Sequence, residues 1–210
     1  FMAGLLIDHA GFQWAFAAMA ALPLVAWAWI RQAHELPKVE KPEGQENNSA
    51  WDLLNEPMFR RLLMVNWFLS ACWDVHTFVV PILGHERGLS ASAIGSILGV
   101  FALAAAFIRM MMPFIAARLH EWQVVTGAML ITSFMLAVYP FTETAWLMGA
   151  CSVLVGLSLG GVQPMIMSTL HQITPEHRHG EALGLRLMGI NASSVLMPMV
   201  FGAAGTVIGI

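Results

Sequence analysis

The chain alternates between long apolar runs and short polar interruptions. Six runs come close to or exceed the roughly 20 residues that a helix needs to cross the hydrocarbon core of a bilayer. They span about Phe12 to Ile30, Phe59 to Leu83, Ala91 to Met112 (with room to continue to Leu119), Trp122 to Tyr139, Ala145 to Leu170 and Ala182 to Ile210. The opening "FMAGLLI" reads as the tail of an earlier helix. Membrane strands would be shorter and would alternate in polarity; these runs do neither. The pattern predicts an all-α, polytopic membrane helical bundle.

The runs differ in what they carry. The first holds no ionisable residue between Trp14 and Ile30, and the fourth, from Val124 to Val138, offers only Thr126, Thr132 and Ser133 as polar groups, so both can face lipid on most sides. In the second, Asn66, Ser70, Asp74 and Thr77 step by four, four and three and share one helix face, which Pro81 continues. His76, two residues from Asp74, points well away from that stripe. The fifth has a stripe of Gly149, Ser152, Gly156, Gly160, Gln163 and Met167, and the sixth has Gly184, Leu187, Asn191, Ser194 and Pro198. The spacing Gly156 to Gly160, repeated at Gly95 to Gly99, is the small-xxx-small pattern that lets helix backbones approach closely. The third run adds Arg109. These stripes predict a polar cavity lined by some helices and screened by others.

Lys and Arg orient the bundle. The first connection carries Arg31, Lys38, Lys41, Arg60 and Arg61, the second Arg87, the third Arg109 and Arg118, the fourth none and the fifth Arg178 and Arg186. Nine of the ten fall on odd connections, which marks those as cytoplasmic. Trp14 and Trp146 sit at outer ends of spans and Trp27, Trp29 and Trp122 at inner ends, where interfacial aromatic residues belong. The long first connection, residues 32–58, is polar and Pro-containing, a cytoplasmic linker whose end, "WDLLNEPMFRRLL", has the look of a short interfacial helix.

Composition agrees. The sequence is 58% hydrophobic and 11% charged with mean hydropathy +0.68, against about 25% charged for soluble domains. A net charge of −3 gives no reason to expect nucleic acid. Cys72 and Cys151 lie inside apolar runs, so no disulfide framework is expected. No signal peptide is visible, and the chain opens without an initiator Met and ends in an apolar run, the expected marks of an internal fragment. The absence of a P-loop argues against ATP-driven transport by this chain, and no cofactor is expected.

Asp74 is the most telling residue. An acid at the membrane centre costs roughly 2.5–3.5 kcal/mol on insertion scales, which bland packing does not repay. Single Asn, Gln and Ser residues more often just hydrogen-bond to neighbouring helices, for about 0.6 kcal/mol each. His76 can be satisfied as a neutral imidazole, and Arg109 can snorkel to the cytoplasmic face. The pair His177 and His179 in "HRHGE" is too small a set to mark a metal site.

Several stretches together resemble the major facilitator superfamily. "AGLLIDHAGFQWAFAAMA" is similar to the junction of that family's fifth and sixth helices, at Gly4, Asp8, Gly11, Trp14 and Phe16. "GLSASAIGSILGVFALAAAFIR" is similar to the loop and helix after the seventh span, at Leu89, Ser90, Ile94, Gly95 and Gly99. "ITPEHRHGEALGLRLMGINASS" is similar to the tenth-to-eleventh connection, at Pro175, Glu176, Arg178, Gly180, Ala182 and Gly184. The gating loop after the eighth helix departs from the family pattern: in "PFIAARLHE" Pro113 replaces its first Gly and Ala117 its Asp, while Arg118 is retained.

The resemblance implies that residues 1–31 close an amino-terminal bundle, 32–58 form the central linker, and 59–210 form a carboxy-terminal bundle of the seventh to eleventh helices, with the twelfth and the rest of the amino-terminal half as missing partners. It implies alternating access about a central site. The expected function is a secondary transporter of small solutes, proton-coupled, in a bacterial inner membrane, with efflux of drugs or metabolites preferred because a Met-rich and aromatic lining suits a broad pocket. Asp74 is the expected protonatable or substrate site, with His76 and Arg109 as further candidates. Asn66, Ser70, Trp73, Thr77, Gln163, Asn191 and Ser194 are expected to line the cavity, and Arg118 to act in the gating loop. The rivals are an intramembrane enzyme using Asp74 and His76, and a non-transporting membrane subunit. The orientation has a direct check in a background lacking Cys72 and Cys151. A cysteine at Glu143 should react with a membrane-impermeant maleimide from outside intact cells, and one at Glu176 only after permeabilisation; the reverse pattern would invert the bundle.

Overall fold

In lipid no water is available to backbone N–H and C=O groups, so a spanning segment must bond to itself. The computed structural model, which describes residues 2–31, 49–115 and 120–208, is accordingly helical, with no strand among the described residues. Two helices precede the linker: α1 (Met2–Ala10) and α2 (Phe12–Ile30). Five follow it: α3 (Pro57–Glu86), α4 (Ala91–Ile115), α5 (Glu121–Val138), α6 (Ala145–Ile173) and α7 (His179–Ile208). The six from α2 to α7 are long and apolar enough to cross a membrane, and each lies on a run identified by its hydropathy. The protein is an all-α, multi-pass membrane bundle.

The differences lie at the ends. "WDLLN" forms a 3-10 turn at Ala50–Asn55 rather than an interfacial α-helix, and the rest of that stretch belongs to α3, which opens on Pro57. Proline suits a first helical position because its missing N–H would have no partner there. Helix α7 starts at His179, three residues before the apolar run, and so takes in the polar "HGE". Most of the linker (32–48) and the gating-loop Arg118 lie outside the described residues.

Polar contacts at the helix ends sort by side. Ser90 caps α4 by accepting the Ala93 N–H at 3.2 Å, and the Asp8 carboxylate at the end of α1 accepts the Ser92 N–H at 2.8 Å. An anion at a helix N-terminus satisfies an orphan donor and meets the positive end of the dipole. The hydrogen bonds from Ser92 hold the Asp8 carboxyl below the ordinary carboxylate range. Gly4 makes room for this junction, since a Cβ there would sit 2.4 Å from the Ala91 carbonyl oxygen. Arg87, after α3, donates to Thr142 Oγ1 (3.1 Å) and the Pro140 carbonyl (2.8 Å) in the α5–α6 connection. At the opposite end Arg178 pairs with Glu181 at 2.7 Å and donates to the Ser49 carbonyl at 3.0 Å, and Gln172 donates to Glu121 at 3.2 Å. Even connections touch one another, as do odd ones, which is the partition expected from the Lys and Arg pattern.

Helix α6 is the post of the bundle, with half of its most apolar stretch buried. Its Val155, Leu159, Val162 and Ile166 join Leu69, Phe101 and Ala128 in the central core cluster. Leu170 meets Leu53, Phe59, Ala182 and Leu185 at one end, and Met148 and Cys151 meet Val80, Ile97 and Tyr139 at the other. Against α4 the approach is as close as backbones allow: a Cβ on Gly156 would fall 2.4 Å from the Phe101 carbonyl oxygen, and one on Gly160 would fall 2.6 Å from the Ala105 Cα. The exposed surface of α2, with Trp14, Trp27 and Trp29, and of α5, with Trp122 and Phe134, suits lipid.

On α7 the polar stripe and the packed face are different sides of the helix. Gly184, Leu187, Asn191 and Ser194 of α7 are exposed, whereas Ala182, Leu185, Arg186 and Ser193 form the packed face. Small and polar residues occupy both faces of this helix, so spacing alone does not choose between them.

The glycines give the packing a test. Gly156→Ala and Gly160→Ala should each destabilise the bundle by about 1–3 kcal/mol, the usual cost of overpacking. Gly149→Ala, with open space around its Cβ position, should stay within about 0.5 kcal/mol of the wild type. Unfolding of the purified protein in mixed micelles measures this, and equal tolerance at all three positions would exclude the close α4–α6 contact.

Candidate functional site

Three polar links cross the apolar interior between α3, α6 and α7. The middle one contains Asp74, half-buried on α3. Ser193 of α7 donates to Asp74 Oδ2 at 2.7 Å, and Ser194 donates to Oδ1 at 3.1 Å. Ser193 is fully buried. Both carboxylate oxygens are thus occupied by hydroxyls of one neighbouring helix. This pair of hydrogen bonds ties α3 to α7. Thr77, one turn on, donates to the carbonyls of Trp73 and Asp74, both at 3.0 Å, and so turns back on its own helix.

The second link holds His76. Its Nε2 lies 3.0 Å from Ser152 Oγ on α6, and the Tyr139 hydroxyl lies 2.9 Å from the same oxygen. Tyr139 begins the 3-10 turn after α5. The imidazole stacks on Phe101 with centroids 4.3 Å apart. His76 is fully buried, and its Nδ1 has no partner among the described residues. Asp74 and His76 therefore bond to different helices, as their separation along α3 implies. They do not form one acid–base pair.

The third link was not anticipated. Arg186 of α7, counted above as a loop charge, is only 7% exposed and donates to Gln163 Oε1 of α6. Its Nε is buried without a partner, as is Asn66 Oδ1 on α3. Arg186 lies seven residues into α7, roughly 10 Å from its start at 1.5 Å per residue. The missed signal was the helix start: with α7 opening at "HGEALGLR", Arg186 is two turns inside the helix and on the face of Ala182 and Leu185.

The remaining candidates are dispersed. Arg109 is exposed on α4, its guanidinium 5.6 Å over the Trp73 ring, within cation–π range. Trp73 in turn meets Phe101 edge to face at 4.5 Å. Ser70 is buried with its Oγ unpartnered, and Asn191 is exposed. Among the described residues no group of three His, Cys, Asp or Glu could hold a metal ion. His179 instead sits with Nε2 at 2.9 Å from the Thr174 carbonyl and stacks on His171.

Two features recur in this geometry: apolar helices of membrane-spanning length, and ionisable side chains that face the bundle interior and cross-link its helices. Comparison with known proteins gives the same picture. No curated protein matches the chain. The family profile of the Major Facilitator Superfamily matches residues 1–209, so the chain belongs to that superfamily of membrane transporters.

Proposed function

We propose that the protein is a secondary active transporter of small solutes that works by alternating access and is driven by protons, with Asp74 as the proton-binding group. The observation that carries this is the pair of hydroxyls from α7 on one half-buried carboxylate of α3. As an anion Asp74 accepts from Ser193 and Ser194 at once. On protonation one oxygen becomes a donor, and one serine must turn to accept or let go. Proton uptake would thereby loosen the α3–α7 contact, which gives the carboxyl a way to couple its charge to movement of these helices.

In this reading residues 1–31 close one bundle and 59–210 form most of the other, about the linker between them. Trp73, with Arg109 stacked on it, forms an aromatic and cationic border beside Asp74. His76, engaged with Ser152 and Tyr139, braces α3 against α6. Efflux is the proposed direction, supported by the Met and Trp side chains bordering the cleft between α3 and α7, which suit varied apolar solutes.

Asp74→Asn tests the coupling. It keeps the shape and one acceptor but cannot titrate. In proteoliposomes, solute accumulation driven by an imposed proton gradient should fall to the level of empty vesicles, while membrane insertion and thermal stability stay near wild type. Full-rate, gradient-driven transport by Asp74→Asn would exclude this carboxyl as the coupling site.

A further inference from the structure

Resting on the transporter reading, we infer that the cleft between α3 and α7 in the half of the bundle nearest the linker is a binding site for the carboxylate of an amphipathic organic acid, with Arg186 as its anion ligand. The cleft has a volume of about 230 Å³. Arg60, Asn66 and Arg186 provide its polar lining, Leu63, Trp67 and Met188 much of the rest, and no carboxylate borders it. Among the described residues Arg186 makes no salt bridge; the one such pair is Arg178–Glu181.

A buried guanidinium cannot lose its proton, so its charge needs an anion or must be kept for one. Gln163 is a neutral acceptor and takes one N–H, which orients the group without neutralising it. The unpartnered, buried Nε leaves one donor of the planar fork unsatisfied, and that fork has the geometry that recognises carboxylates. Asn66 Oδ1, nearly fully buried and also unpartnered, adds an acceptor that calls for a hydroxyl or N–H near the carboxylate. The apolar walls then take the body of the molecule. These demands describe a small aromatic or aliphatic acid bearing an adjacent hydroxyl.

Arg186 and Ser193 lie on the same face of α7, seven residues apart, or roughly 10 Å along the axis. The carboxylate site is thus distinct from the Asp74 contact, while the same helix carries both. An acid bound at Arg186 and a proton at Asp74 would each change the charge buried against α7.

The test is a calorimetric titration of the intact protein in phosphatidylcholine nanodiscs, with mandelate, phenylacetate and mandelamide as probes and intrinsic tryptophan fluorescence as a second readout. Mandelate should bind saturably, and mandelamide at least about tenfold more weakly, because it lacks the charge. Arg186→Gln should weaken mandelate at least about tenfold, Arg186→Lys should retain part of the binding, and Asn66→Leu should remove the advantage of mandelate over phenylacetate. Equal binding of mandelate and mandelamide by the wild type would overturn the site without appeal to any variant. So would mandelate binding unchanged in Arg186→Gln. A phospholipid headgroup is the other source of such an anion: if mandelate binds nowhere, yet phosphatidylglycerol stabilises the wild type and not Arg186→Gln, the occupant is lipid and the solute assignment fails. Mandelate binding without proton-driven flux of any solute would leave the site standing and remove the transporter reading. Flux without discrimination between acid and amide would do the opposite.

Discussion

The close seating of α6 on α4 is the contact from which the rest of the arrangement follows. In a bilayer the apolar side chains of two helices gain little from each other that lipid would not also supply, so association rests on van der Waals fit and on polar links. Gly156 and Gly160 remove the side chains that would hold the two backbones apart. With α6 fixed there, Ser152 comes within reach of His76 and Tyr139, Gln163 within reach of Arg186, and Leu159 and Ile166 fill the centre. A helix with Leu at both glycines would keep its hydropathy and lose this seat.

The polar groups of the interior are arranged as separate links. His76 ties α3 to α6 in the half away from the linker, Asp74 ties α3 to α7, and Arg186 ties α7 to α6 towards the linker side. Each ionisable group bonds to neutral partners, not to an opposite charge. A neutral partner orients a buried charge without cancelling it, and that leaves the charge open to a proton or a ligand. A fully matched ion pair would give up that freedom. The incomplete pairing at Asn66, His76 and Arg186 fits the same description, since a buried donor or acceptor without a partner is costly to keep.

Much of this was legible in the sequence. Hydropathy located all six spanning helices, because the length of an apolar run is set by bilayer thickness and not by neighbours. The spacing of Gly156 and Gly160 announced a close helix contact, and the two-residue offset of His76 from Asp74 announced separate partners. Contacts at the helix ends join odd connections to odd and even to even, in keeping with the count of Lys and Arg. The packed face of α7 was not legible for a physical reason: that helix has small and polar residues all round, so its period does not select a face. Arg186 was missed because the polar residues before it looked like loop, while the helix in fact begins among them.

The sequence by itself determined that the chain crosses a membrane as a set of helices, where those helices lie, and which connections share a side. These follow from the free energy of moving residues between water and lipid, a property of each segment taken alone. Only the tertiary structure decided that Ser193 and Ser194 are the partners of Asp74, that Ser152 and Tyr139 hold His76, and that Arg186 turns inward to Gln163. Those pairings depend on the rotation and depth of one helix against another. Rotation and depth are fixed by contacts between residues far apart in the chain, which no periodicity within a single run can encode.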